Sequence, residues 1–163
     1  MVTSLNRHES YNISRMLTQE SNSGALEELY KCLPQDVAAV LRQRETRVTV
    51  PAKTKLVCYG RQPEHLIMLF TGSVDILLPC GKQAIVLSTA GPGKIFGLRA
   101  LVSDRLPEID AICRTECTLR LLPRDMFVRA LESHPEMYFS IAKLLSEDLQ
   151  LAHAYLKKRN KSA

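Results

Sequence analysis

The chain has 163 residues, enough for one ordinary domain and too few for two full ones. Apolar residues make up 45% and charged residues 24%, a globular balance that excludes a disordered chain. The net charge of +5 permits an anionic partner without requiring one. No apolar run exceeds five residues, the length of Leu66 to Phe70, far short of the roughly 18 residues of a membrane span. No apolar signal core opens the chain, so a cytoplasmic protein with no membrane contact is expected.

Residues 1–23 are polar and are expected to form a flexible arm, with a short helix around Ser14–Gln19. Helical spacing begins after Gly24, with Leu26, Leu29, Tyr30 and Leu33 on one face. Pro34 suits the first turn of a second helix that carries Val37, Val40 and Leu41 and ends in Arg42–Glu45. From Thr46 the period changes to that of strands, expected at 47–50, 56–59, 66–70, 73–78, 83–88, 109–113 and 118–122. Gly60, Thr71-Gly72, Pro79-Cys80-Gly81-Lys82 and Gly91-Pro92-Gly93 supply the turns. Many short strands with Gly/Pro turns, and no α/β alternation, predict an antiparallel roll or barrel.

Pro123 is expected to start a short helix that buries Met126, Phe127 and Leu131 and breaks at His134-Pro135. A long helix is then expected over 135–158. It carries two apolar stripes: Met137, Ile141, Leu144, Leu151 and Tyr155, and Tyr138, Ala142, Leu145, Leu149, Ala152 and Leu156. The second steps four and three residues alternately through six positions, so it is assigned to the seam of a homodimer. Residues 159–163 form a basic tail, read as a solvated helix end.

The five cysteines are odd in number and contain no C-x-x-C, so they are read as small core residues rather than a disulfide framework or metal site. No two of His8, His65, His134 and His153 stand at metal-ligand spacing. His65 is read as a turn residue. No catalytic triad or Gly-rich phosphate loop ending in Lys occurs, so neither an enzyme nor a metal or other cofactor is expected.

Three local sequences carry a family likeness: Gly60-Arg61-Gln62-Pro63-Glu64-His65-Leu66-Ile67, Phe70-Thr71-Gly72-Ser73-Val74-Asp75-Ile76 and Gly91-Pro92-Gly93-Lys94-Ile95-Phe96-Gly97. In this order, residues 25–158 resemble the cyclic nucleotide-binding domain of the Crp/Fnr regulators. The resemblance implies a mainly β fold with helices. It would be an antiparallel eight-strand β-roll, jelly-roll-like, with N-terminal helices and a long C-terminal dimerisation helix, spanning residues 24–158.

It also implies a phosphate-binding cassette at Phe96, Gly97, Leu98, Arg99, Ala100 and Leu101, continuing at Glu108, Ile109 and Asp110. Here the chemistry departs from the family pattern. Leu98 stands where the family places a glutamate that accepts from the ribose 2′-hydroxyl. Glu108 stands where it places an arginine on the cyclic phosphate, and Asp110 adds further negative charge. Each lost charge-assisted bond is worth about 1.5–3 kcal/mol, so binding is expected to weaken by roughly two to four decades. By register, Ala152 and His153 occupy the long-helix positions that meet the base, and Ala152 cannot hydrogen-bond. Arg99 and Arg105 are the cations left in the cassette.

The resemblance therefore leaves three readings. The first is a regulatory module answering to a non-canonical small effector or acting by protein contact. The second is the effector domain of a transcription regulator that binds cyclic AMP or cyclic GMP. The third is a ligand-free dimeric scaffold. The family's helix-turn-helix DNA-binding domain would need roughly 60–80 further residues and is not expected within a chain ending at Ala163.

Overall fold

The computed structural model describes residues 25–31 and 33–161. The arm 1–23 and its expected helix at Ser14–Gln19 lie outside them. Two helices, α1 (Ala25–Lys31) and α2 (Gln35–Arg44), precede eight strands: β1 (Thr46–Val50), β2 (Lys55–Val57), β3 (His65–Thr71), β4 (Val74–Cys80), β5 (Gln83–Ala90), β6 (Ile95–Phe96), β7 (Asp110–Cys113) and β8 (Cys117–Pro123). Helix α3 (Leu98–Ser103) lies between β6 and β7, and α4 (Arg124–Ser133) and α5 (Glu136–Lys161) follow β8.

The strands form two four-stranded antiparallel sheets, ordered β1-β8-β3-β6 and β2-β7-β4-β5. Alternation along β3 explains how one sheet serves two cores. Ile67 and Leu69 point into the roll with Val57, Val74, Phe96, Ala111 and Leu119. Leu66 points the other way, into a helical layer with Leu29, Tyr30, Leu41, Phe127, Met137 and Ile141, and Met68 leans on that layer.

Several boundaries differ from the sequence expectation for physical reasons. Strand β6, two residues long, was hidden in the Gly91–Gly97 stretch because its pairing with Ile67 and Met68 is long-range. Strand β4 runs through Pro79 and Cys80 instead of turning there. Its partner β7 reaches only Leu77, so Pro79 sits where β4 has a free edge and its missing N–H breaks no ladder. Cys58 and Tyr59 leave β2 because the Asp110 carboxylate takes the Tyr59 N–H at 2.7 Å. His65 is not in a turn; it opens β3 opposite Pro123.

At Gly72 a side chain has no room: φ is +99°, and a Cβ would lie 2.5 Å from the Glu116 carbonyl and 2.7 Å from the Cys117 sulfur. The long helix is present as 26 residues, and it continues through the first part of the expected basic tail to Lys161. Lys and Arg are good helix formers, and their charges suit a helix C-terminus. No helix among the described residues is long and apolar enough to cross a membrane.

Candidate functional site

The cassette begins with a tight tie to β3: Gly93 N–H donates to the Leu69 carbonyl at 2.8 Å, and Leu69 N–H to the Lys94 carbonyl at 2.9 Å. Gly97 (φ +88°) then turns the chain into α3, so close to β3 that a Cβ would lie 3.2 Å from the His65 carbonyl. Six residues of helix follow, and their two faces differ. Leu98, Ala100 and Leu101 are buried, with Leu98 and Leu101 packed in the helical layer beside Leu66, Leu122 and Phe127. Arg99 is exposed on the other face. The side chain of Leu98, a residue assigned to the cassette, is thus part of the helical-layer core.

The second half of the cassette is held by its own hydrogen bonds. Asp104 caps α3 in the left-handed region (φ 54°) and lies 3.5 Å from Arg124. Arg105, Leu106 and Glu108 are exposed, and Ile109 packs partly against the roll core. The Pro107 carbonyl accepts from Gly60 N–H at 2.8 Å. Asp110, besides accepting from Tyr59, lies 3.4 Å from Lys55 Nζ. Its charge is partnered and positions the turn after β2, a role the sequence reading did not assign. Glu108 is exposed, as is Asp104 at the end of α3.

Behind the other face of β3 and β8 lies a charged cluster that sequence reasoning missed. The Tyr30 hydroxyl and the Arg120 guanidinium both donate to Glu45, the latter from Nε at 2.7 Å. Arg42 lies 4.7 Å from the Tyr30 ring centroid and pairs with Glu27 at 2.8 Å. Glu45, Leu66, Met68, Arg120 and Leu122 line a recess of about 10 Å³ beside it, room for a single water. No sequence signal could have found the cluster, because Tyr30, Glu45 and Arg120 are distant in the chain.

Burial, and then the hydrogen bond to Glu45, hold the Tyr30 hydroxyl protonated well above the usual tyrosine range. The folded state thus keeps a proton that the unfolded state loses near pH 10. The share that Tyr30 contributes should be intact below about pH 10 and then fall by roughly 1.4 kcal/mol per pH unit. Tyr30→Phe should remove this share of the slope; urea titrations between pH 9 and 11 check it, and an unchanged slope in the variant would refute the assignment. Cys113 acts in the same direction, its thiol pushed up to about 12 by burial and by its hydrogen bond with Cys117.

Both of those cysteines are fully buried, as a core role requires. Cys80, in contrast, is exposed near the β4–β5 turn, and Cys58 is half-buried. Among the described residues no group of three or more His, Cys, Asp and Glu side chains is placed to hold a metal. His134 caps α4 and lies 3.4 Å from Glu136.

On α5, Met137 and Ile141 are buried in the home domain. Of the expected seam, Tyr138 and Ala142 are exposed. Leu145 is partly buried and leans on the home core. Leu149, Ala152 and Leu156, with the base-side pair Ala152 and His153, lie in the helix, but their side chains fall outside the described residues. Phe139, absent from both expected stripes, is 81% exposed.

Comparison with solved structures returns the same architecture. The catabolite activator protein of Thermus thermophilus matches with a TM-score of 0.62 at 21% identity, covering 82% of this chain and 63% of that one. The sensor domain of the transcriptional regulator DNR from Pseudomonas aeruginosa matches at 0.63 and 16%, covering 75% of this chain and 87% of that one. The regulatory domain of Toxoplasma gondii PKA, crystallised with cAMP, matches at 0.58 and 21%, covering 78% and 46%. The chain spans less than two thirds of the Thermus and Toxoplasma proteins, and identities this low establish the fold alone. No curated protein matches the sequence. The family model described as "cyclic nucleotide-binding domain" matches residues 47–134, more than half of the chain and all eight strands but the first residue of β1. With that match and the two-sheet roll in place, the chain belongs to the cyclic nucleotide-binding domain family.

Proposed function

We propose that the chain is a cytoplasmic, sensor-type regulatory module whose cassette has given up tight binding of cyclic AMP and cyclic GMP. It answers to another small effector, or to a protein contact, and α5 couples the roll to a second copy. The observation that carries this reading is the pair of cassette substitutions in their settings: Leu98 buried in the helical layer and Glu108 exposed where a cyclic phosphate would need a cation. Removing a side-chain acceptor and reversing a charge both act against an anionic nucleotide. The coupling role of α5 is supported by its length, about 39 Å at 1.5 Å per residue, and by the exposure of Tyr138 and Phe139 near its start. A ligand-free scaffold is the second reading, favoured by the aliphatic filling of the roll around Ile67, Leu69, Val74 and Leu119.

Calorimetry with cyclic AMP tests the proposal. The wild-type chain should bind two to four decades more weakly than a receptor with both contacts. Glu108→Arg, at an exposed site, should leave stability unchanged and raise affinity by roughly 10- to 100-fold, the worth of one charge-assisted bond. Tight wild-type binding would refute the reading. Arg99→Ala and Arg105→Ala would then show which cation holds the phosphate.

A further inference from the structure

The two sheets have four edges, and three of them are blunted. Strand β6 is two residues long. Strand β2 has three residues, carries Lys55 and has an irregular register. Strand β1 carries Arg47, whose guanidinium lies 4.2 Å from the Phe70 ring centroid, and runs directly into Pro51. Shortness, charge and proline are the devices that keep an edge from pairing with another chain.

Strand β5 has none of them. It is eight residues long, Gln83-Ala84-Ile85-Val86-Leu87-Ser88-Thr89-Ala90, without a charge or a proline. No described strand pairs with its outer edge. Ile85, Val86 and Leu87 are 53%, 56% and 54% exposed. Register shifts at Leu87, which bulges between Val86 and Ser88, so the straight part of the edge is Gln83–Val86. This part stands clear of β7, which pairs with β4 only as far as Leu77. It projects as a two-stranded ribbon with apolar pairs on both faces, Leu78 opposite Ile85 and Leu77 opposite Val86.

We propose that this edge is an interaction surface whose partner is the same edge of a second copy, the two β5 strands pairing antiparallel across a two-fold axis. A two-fold contact sets a strand against itself, so it is open only to an edge with no like charges to oppose. Gln83–Val86 meets that condition, and β1 and β2 do not. With the axis at Ile85, so that this residue faces its own copy, the nearest charge, Lys82, lies roughly 20 Å from its symmetry mate at about 3.4 Å per residue, beyond the Debye length of about 8 Å. The uncharged strand offers nothing to select a charged peptide. The contact uses a surface separate from α5.

Sedimentation of the full chain in reductant, which prevents Cys80 from linking chains, gives the test, together with hydrogen exchange at two protein concentrations. Ile85→Lys should halve the mass of the assembly, and Val86→Lys should do the same. Amides within Gln83–Val86 should be protected in the wild type, more so at the higher concentration, and should lose that protection in the variants. Both side chains are half-exposed, so the thermal melt should be unchanged. An unaltered mass with protection independent of concentration would overturn the proposal. Protection that disappears on deleting residues 1–23 would also overturn it and identify the chain's own N-terminal segment as the occupant.

Discussion

Leu98→Glu should lower the melting temperature by roughly 10 °C or more. Leu98 is 6% exposed and packs with Leu66, Leu101, Leu122 and Phe127. The substitution removes a buried apolar side chain worth about 1.5–3 kcal/mol and puts a carboxylate where no cation is among those neighbours. An unpaired buried charge costs several kcal/mol, or the group takes up a proton instead. A combined loss of about 4 kcal/mol, at 2–4 °C per kcal/mol for a chain of this size, gives the stated shift.

The pH dependence identifies the cause. The introduced carboxyl would have a folded pKa above its unfolded value near 4.3. The loss of stability should therefore shrink in acid and grow as pH rises above about 4.3. Thermal melts of wild type and variant between pH 4 and 7.5 measure this. The consequence for function is direct: restoring the family's glutamate at this position should unfold the layer that supports the cassette, not rebuild the site. A variant as stable as the wild type, with a gain in cyclic AMP affinity, would show that the side chain can turn out of the core.

Glu45→Ala should cost about 3 kcal/mol, roughly 6–12 °C in melting temperature. Glu45 accepts from both the Tyr30 hydroxyl and the Arg120 guanidinium, and its side chain is 7% exposed. Breaking a buried pair by removing one partner typically costs about 3–5 kcal/mol. Arg120, at 29% exposure, regains some water, which places the expectation at the lower end of that range. Arg120→Ala alone should cost less. The double variant should cost less than the sum of the two, with a coupling of about 1 kcal/mol or more in a double-mutant cycle. Strict additivity would mean that the pair does not tie the junction of α2 and β1 to β8 as the geometry indicates.

The strand pattern was legible because antiparallel strands with Gly/Pro turns leave a local signal. The register at Thr71-Gly72 and the helix breaks around Pro34, Pro123 and Pro135 depend on residues within a few positions of each other. The cassette was legible as spacing, because Gly97 must turn the chain into α3 at a positive φ. What its side chains do was not legible. Leu98 took its place from the family pattern, which says nothing of which face of a six-residue helix is covered. Asp110 looked like an extra repulsive charge, and the fold gives it Tyr59 N–H and Lys55 as partners. On α5, the four-three stepping placed Leu145 in the expected seam and said nothing of its lean on the helical layer.

The sequence by itself determined the class of the fold and the order of its elements, which follow from local periodicity and turn residues. The place of the cassette, with Leu98 and Glu108 in it, is what the family resemblance implies. Only the tertiary structure decided that Leu98 is core, that Asp110 is satisfied, that Tyr30, Glu45 and Arg120 meet, and that β5 is the edge left without a charge. Those facts arise from contacts between residues as far as 75 positions apart, and side chains that distant leave no periodic trace in the chain that joins them.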